Sequence, residues 1–535
     1  MKTLLIASTA LCAVVPIAWA QPYYPTYNPT TGGGGASIPA TTSILAGSGT
    51  AGTVQAATTA QTSAQTTIST GTSTARSLAA RGAEVKNALD FGLVCDGATD
   101  NASVIAALAA ASGVGVTLYF PPAAQPCLTS ANLQPANGTT VWAYPGTVTL
   151  KPTASSTANP LLINTSGAGT NSNILIYGLT LDGGGTTFAT SNRLTLGYGA
   201  IGVVYDHAQF QNTRGIAVEF SGSMIDNGVR YSIFTNVGNY WKTSGVSTDR
   251  AQAISFDQQS SATGNVGDFV ENSLFSNIGL DSISAYTLTA PQFSNNICNL
   301  TLESGSITAS AYAACIYAVL DVGLSITGNI STAASGNAFD LDSDSNINVV
   351  GNTANGSGQA GIGLFAITGG VVAGNTTTGN YLWSPSTEQG GITISTGVSG
   401  STVSNLSLSG NMSSGNKYGI QVISGVTMNG LWVDPSNVLQ GNTTSNLTGL
   451  APLISTGSGS IDVNATNARG TFTESASETQ FVLTFESTFT TPPNCVVVAK
   501  SGNAVTSFAT ATATYTTLTV NHASGQGVYS YVCSE

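Results

Sequence analysis

Five carboxylates, Glu219, Asp257, Asp281, Asp340 and Asp342, lie in or beside a phrase that recurs along this sequence. The phrase is an aliphatic residue, a free position, an apolar residue and a second free position. Eight copies fall between Arg214 and Val426, starting at Ile216, Ile254, Ile283, Ile316, Phe339, Ile362, Ile392 and Ile420. Alternation with period two sends the first and third positions to one face of a strand and the free positions to the other. Glu219 and Asp257 take the fourth position of adjacent copies. On paired strands their Cβ atoms would stand about 5 Å apart. Two carboxylates that close cannot both ionise easily. One keeps its proton as a general acid and the other attacks, the arrangement of retaining glycoside hydrolysis. Asp340 and Asp342 share a strand three copies beyond Asp257, roughly 14 Å away. There they suit a second sugar or a Ca²⁺ ion. Asp281, two residues before Ile283, is either a lone acid or a turn residue that bonds its own backbone.

Aromatic residues accompany these acids. Tyr286 and Tyr317 lie between the acidic groups, and Phe365 lies just beyond. Two long insertions between copies carry Trp241, followed by Lys242, and Trp383. Aromatic faces and carboxylates along a groove suit a polysaccharide. The blander reading is a polar outer face with aromatics filling gaps. Arg214 and Lys242 matter for β-elimination from a uronate, which needs a base and a cation that neutralises the carboxylate. Each could instead pair with a neighbouring acid.

The elements that position these residues follow from the spacing. Successive copies are 38, 29, 33, 23, 23, 30 and 28 residues apart, a repeat of the solenoid class. Gly, Ser, Thr and Asn fill the intervals, which carry no helical period and read as short strands between turns. Gly328-Asn329, Gly351-Asn352 and Gly374-Asn375 recur at turn positions, where Asn side chains of stacked coils can bond one another. The expected fold is all-β, a parallel β-helix, with the right hand favoured for parallel crossovers.

The chain has 535 residues and a net charge of −12, which disfavours nucleic acid and anionic membranes as partners. Residues 1–20 read as a signal peptide, and no later stretch is long and apolar enough for a membrane span. Six cysteines remain beyond it, an even number that suggests disulfides in an exported protein. Pairing sequence neighbours joins Cys95 to Cys127, Cys298 to Cys315 and Cys495 to Cys533. Residues 21–82 read as a low-complexity stalk, with a helix near 56–80 conceivable. Coils are expected over 83–450, a linker over 451–467 and a small antiparallel β-sandwich over 468–535.

One stretch carries a family resemblance. Arg76-Ser-Leu-Ala-Ala-Arg81, Asp90-Phe91-Gly92, Asp96-Gly97-Ala98-Thr99-Asp100-Asn101 and Leu118-Tyr119-Phe120-Pro121-Pro122 follow one another around an Ala-rich segment. This resembles the opening of the pectate-lyase-like right-handed β-helix superfamily, which includes tailspike-like and rhamnogalacturonase/epimerase-like proteins. Cys95 and Ala123 stand where that pattern has Gly. The resemblance implies a capping helix over the first coil, with Val104, Ile105 and Leu108 on its inner face and Asp100 or Asn101 as N-cap. Leu280-Asp281-Ser282-Ile283 resembles a polygalacturonase motif, but the column of Asp281 holds neither its partner Asp nor its His. That assignment therefore does not carry over. Asp206-His207 resembles a pectate-lyase step and is also a common strand end. Residues 468–535 resemble modules behind β-helices in phage-tail-like proteins, which implies attachment or a homotrimer.

The sequence thus reads as a secreted protein that binds and degrades an extracellular polysaccharide, as a glycosidase or a lyase. Its first acid pair is Glu219 and Asp257, and no cofactor beyond Ca²⁺ is expected. The competing reading is a non-catalytic adhesin or fibre whose groove only binds glycan.

Overall fold

The chain divides into two units, Met1–Leu78 and Ala79–Glu535. The computed structural model describes most of residues 82–448, strand segments within 453–534 and four short strands within 45–77. Residues 1–44, 166–170, 239–251, 258–264, 300–312 and 383–386 are among those outside it. The expected signal peptide, Trp241, Lys242 and Trp383 therefore lie outside the described residues.

In the first unit Leu45–Gly47 pairs antiparallel with Val54–Ala56, and Thr66–Thr67 pairs with Arg76–Ser77. The helix conceived near 56–80 is thereby corrected to short strands at its described residues. Thr at these positions favours extended backbone.

The second unit is a stack of coils. Among the described residues its strands form three parallel sheets of 11, 13 and 12 strands. Each strand pairs only with strands of the coils before and after, and the coil strands run from Val85 to Thr448. In the 11-stranded sheet Ile254, Ile283, Ile316, Phe339, Ile362, Ile392 and Ile420 are in register and fully buried. Phe256, Ala285, Ala318, Leu341, Leu364 and Ile394 form the second inward column. Elsewhere in the core Phe210, Phe234 and Phe275 stack at 4.6 and 4.8 Å, the spacing of the coils themselves.

Turns are held by buried Asn side chains. Asn296, Asn329, Asn352, Asn375, Asn411 and Asn437 stand on successive coils. Each of the first five donates both its backbone N–H and its Nδ2 to the Oδ1 of the next. From Asn329 to Asn352 those bonds are 2.9 and 3.0 Å. A buried amide is tolerated only when its bonds are made, and this ladder makes them. The preceding Gly328, Gly351 and Gly374 have φ of 65°, 67° and 62°, a left-handed bend that glycine adopts without strain.

The helix Ala102–Ala110 covers the first coil with Ile105 and Leu108 buried. Asn101 accepts from the Val94 N–H and donates to the Val94 and Leu128 carbonyls. Asp100 accepts from the Ala102 N–H, and Asp96 accepts from the Ala98 and Thr99 N–H groups. These acids build the cap.

Two four-stranded antiparallel sheets follow the coils. The 451–467 linker is corrected here. Leu453–Thr456 pairs with Gln480–Thr484, and Gly459–Ile461 pairs with Arg469–Glu474, so both belong to the C-terminal module. The β-prone residues Leu453 and Ile454 explain the pairing. Cys95–Cys127, Cys298–Cys315 and Cys495–Cys533 are disulfide-bonded.

Candidate active site

The outward columns of the 11-stranded sheet carry Glu219, Asp257, Tyr286, Tyr317, Asp340, Asp342 and Phe365, with one correction to their register. Val218, not Ile216, pairs with Ile254, so the first copy is displaced by two residues. Glu219 is then opposite Ser255, and Ser221 is opposite Asp257. The expected Glu219/Asp257 pair is not formed as adjacent neighbours of one column. Glu219 is buried and joined to the guanidinium of Arg193. The slip has a physical origin. A one-residue shift would turn every side chain over, whereas a two-residue shift preserves inside and outside. Ile216, Ala217, Val218 and Phe220 are all buried, so either frame satisfies the pattern. A Glu219→Gln substitution is expected to cost roughly 1 kcal/mol, the difference between a charged and a neutral hydrogen bond. Thermal melts of the variant beside the parent check this.

The strongest concentration of acids lies further along the stack. Asp340 stands in the second column, in register with Tyr317. Asn337, three residues earlier, donates from Nδ2 to Asp340 Oδ2 at 3.2 Å and to Glu388 Oε2 at 2.9 Å. Its Oδ1 accepts from the Ala360 N–H at 2.9 Å, which fixes the amide. One nitrogen therefore holds two carboxylates together. Burial, then the negative charges of Glu388, Asp281 and Asp342, pushes the Asp340 carboxyl well above the usual range, against the lowering hydrogen bond from Asn337. Burial also raises Glu388. Asp281 is buried, accepts from the Ala314 N–H at 3.0 Å, and is pushed up to about 7 by desolvation.

Tyr286 and Tyr317 meet edge to face with centroids 5.7 Å apart. Burial raises both phenols, and the charges of Asp281 and Asp340 raise them further. The two tyrosines and the acids thus share one electrostatic environment, which Asp257 also reaches through Tyr286. Asp342 has a different task. Its Oδ1 accepts from the Ser343 hydroxyl at 2.7 Å and the Val398 N–H at 2.8 Å, holding the turn at 397–400. Phe365 pairs in register with Asp342. Arg214 donates to the Phe188 carbonyl at 3.2 Å. Among the described residues, no group of three or more His, Cys, Asp and Glu could hold a metal ion.

The sequence singled out Asp340 and Asp281 but missed Glu388 and the part of Asn337. Glu388 lies between the copies at Ile362 and Ile392, an interval of 30 residues where the preceding two are 23. That excess was a readable signal for an insertion at this point of the stack.

No family model and no curated protein matches the chain. Among solved structures, a double mutant of the tailspike protein of E. coli bacteriophage HK620 aligns over 89% of this chain and 98% of its own, with a TM-score of 0.50 and 13% identity. With the three parallel sheets already established, that alignment decides the fold. The chain is a right-handed parallel β-helix. The A-module of a mannuronan C-5 epimerase of Azotobacter vinelandii matches 68% of this β-helix chain and 97% of its own, at a TM-score of 0.48 and 17% identity. A surface adhesin of Streptococcus pneumoniae matches 73% and 98%, at 0.48 and 15%.

Proposed function

We propose that this β-helix protein binds an extracellular polysaccharide on the outward face of its 11-stranded sheet and hydrolyses it. The carrying observation is the Asn337-centred pair of Asp340 and Glu388. Their bridged oxygens lie no more than about 6 Å apart, because both reach one nitrogen. Retaining glycosidases place two carboxyl groups about 5–5.5 Å apart, and inverting ones leave roughly 6.5–9.5 Å for a water. In this reading Asp340, held protonated by burial and by neighbouring charge, gives its proton to the leaving oxygen. Glu388 attacks the anomeric carbon, and Asp340 then activates the water that releases the sugar. Tyr286 and Tyr317 pack against the sugar ring. The three disulfides suit an extracellular setting.

The test is a panel of polysaccharides incubated with the purified protein, reading reducing ends and the ultraviolet absorbance of unsaturated uronates together. Reducing ends without new absorbance are expected. New absorbance would overturn hydrolysis in favour of β-elimination. Silence in both, with glycan binding retained, would make the protein an adhesin.

A further inference from the structure

A ladder of aromatic rings runs along the outer edge of the 13-stranded sheet, on strands that belong to another face and mostly to earlier coils than the acid cluster. Tyr119, Trp142 and Tyr177 occupy one register column on three successive coils. Ring contacts pass from Tyr119 to Trp142 at 5.2 Å, on to Tyr177 at 6.4 Å, to His207 at 5.1 Å and to Tyr231 at 5.2 Å. Tyr144 adds an edge contact to Trp142 at 4.6 Å. Five coils carry the chain of rings, a span of about 19 Å. Tyr144 and Tyr231 are 42% and 44% exposed, and the other rings are half-buried. The Phe ladders inside the core are closed to solvent; this one is not.

Two of its members sit where the backbone does not favour them. Hydrogen bonds step one turn position through Gly178, His207, Tyr231, Asn272, Asn295, Gly328, Gly351 and Gly374. Every one of these has φ between 49° and 76°. Six of the eight are Gly or Asn, the residues that take the left-handed region most easily. His207 and Tyr231 are the exceptions, at 52° and 49°, and they are the two that continue the ladder. Asn at both would serve the turn and remove the rings. Strained seats kept for particular side chains point to a use for those side chains.

Where the ladder moves over to this turn position, the strand column it leaves carries Asp206, Arg230 and Glu271. Asp206 is nearly buried, accepts from Arg230 Nε at 2.9 Å and pairs with His207 Nδ1. The surface is therefore a row of half-open rings beside a fixed carboxylate and guanidinium.

We propose that this ladder is a second binding platform, for a neutral polysaccharide chain. Pyranose C–H faces pack on aromatic rings, and sugar hydroxyls bond to carboxylates and guanidinium groups held in place. A row this long engages several sugar units. Single-stranded nucleic acid also stacks on aromatic rows, but it needs a basic groove. Here the local cation is already paired with Asp206, and the chain carries a net charge of −12, which repels polyanions. The platform is independent of catalysis at Asp340 and Glu388.

The experiment is native affinity electrophoresis in gels containing laminarin, galactomannan or dextran, with heparin as a polyanion control. All proteins carry Asp340→Asn, so that nothing in the gel is cleaved. Retardation by at least one neutral polysaccharide is expected. Adding Trp142→Ala, His207→Asn and Tyr231→Asn is expected to weaken it by roughly tenfold or more. The His207→Asn/Tyr231→Asn pair alone should fold normally, because Asn fills that position on other coils. Three results overturn the proposal: unchanged retardation of the ladder variant, no retardation of its parent by any neutral polysaccharide, or stronger retardation by heparin. Loss of self-association in the ladder variant, seen by sedimentation, would make the ladder a contact between copies and equally overturn it.

Discussion

Asp340→Asn is expected to lower kcat on a cleaved polysaccharide by about 10³-fold, within the range that a positioned general acid supplies. Glu388→Gln is expected to do the same, and the double variant little more, because the two act as a unit. The physical reason is the division of labour between them. An amide at 340 has no proton to give, and an amide at 388 cannot attack. Asn337→Ala separates positioning from loss of fold. Its Nδ2 favours the ionised form of both carboxyl groups. Removing it raises both, so the acidic limb of the kcat/KM profile, set by the attacking carboxylate, moves to higher pH. A merely structural Asn would lower the rate without moving that limb. Turnover within tenfold of the parent in both acid variants, with melting temperatures preserved, would remove the pair from the mechanism.

Much of the fold was legible because its determinants are local and repeat. The inward columns from Ile254 to Ile420 and the Asn turns follow from residue type and period, whereas the capping helix was implied by the resemblance carried by residues 76–122. The site was less legible, for two reasons. A register slip of two residues leaves the burial pattern intact, so Ile216 and Val218 compete equally as the start of a copy. Arg193, which claims Glu219, lies on the preceding coil outside the eight copies. The second reason is Glu388. Its meeting with Asn337 spans 51 residues and depends on how an insertion folds back, which no periodic pattern records. The linker expected over 451–467 failed likewise at its two strands, since their partners lie across antiparallel pairings and not at a fixed repeat.

The Asn turns also show what a carboxylate does in an amide's place. Met224, Asn265, Leu288, Asp321 and Asp344 follow one another at another turn, stepped by the same hydrogen bonds and bridges. The Asp321 N–H donates to Asp344 Oδ1 at 2.7 Å, just as the Asn329 N–H donates to Asn352 Oδ1. The second bond, from Asn329 Nδ2 to Asn352 Oδ1, has no counterpart at Asp321. Among the described residues, Asp268 Oδ2, Asp321 Oδ2 and Asp344 Oδ2 are buried without a hydrogen-bond partner. Desolvation first, then the charge of Asp268, pushes Asp321 up to about 8 from an ordinary 3.8. Desolvation, Asp321 and then Asp342 and Asp340 push Asp344 well above its ordinary value. Asp268 is raised to about 7, by desolvation and by Asp226.

These raised values make the fold more stable in acid. The unfolded chain loses these protons near pH 4, while the folded chain retains them until about pH 7–8. Over that window the folded state binds more protons, so stability falls as pH rises and levels off above it. Asp321→Asn removes the largest printed shift and supplies an Nδ2 to donate to Asp344 Oδ1. It is expected to raise the melting temperature by several degrees at pH 8, on the order of a few kcal/mol. At pH 4.5 only the added hydrogen bond remains, on the order of 1 kcal/mol. Melts of parent and variant across that window check this, the variant's curve being the flatter. An equal gain at both pH values would show that Asp321 folds ionised, and a loss at pH 8 would show that Asn does not fit the turn.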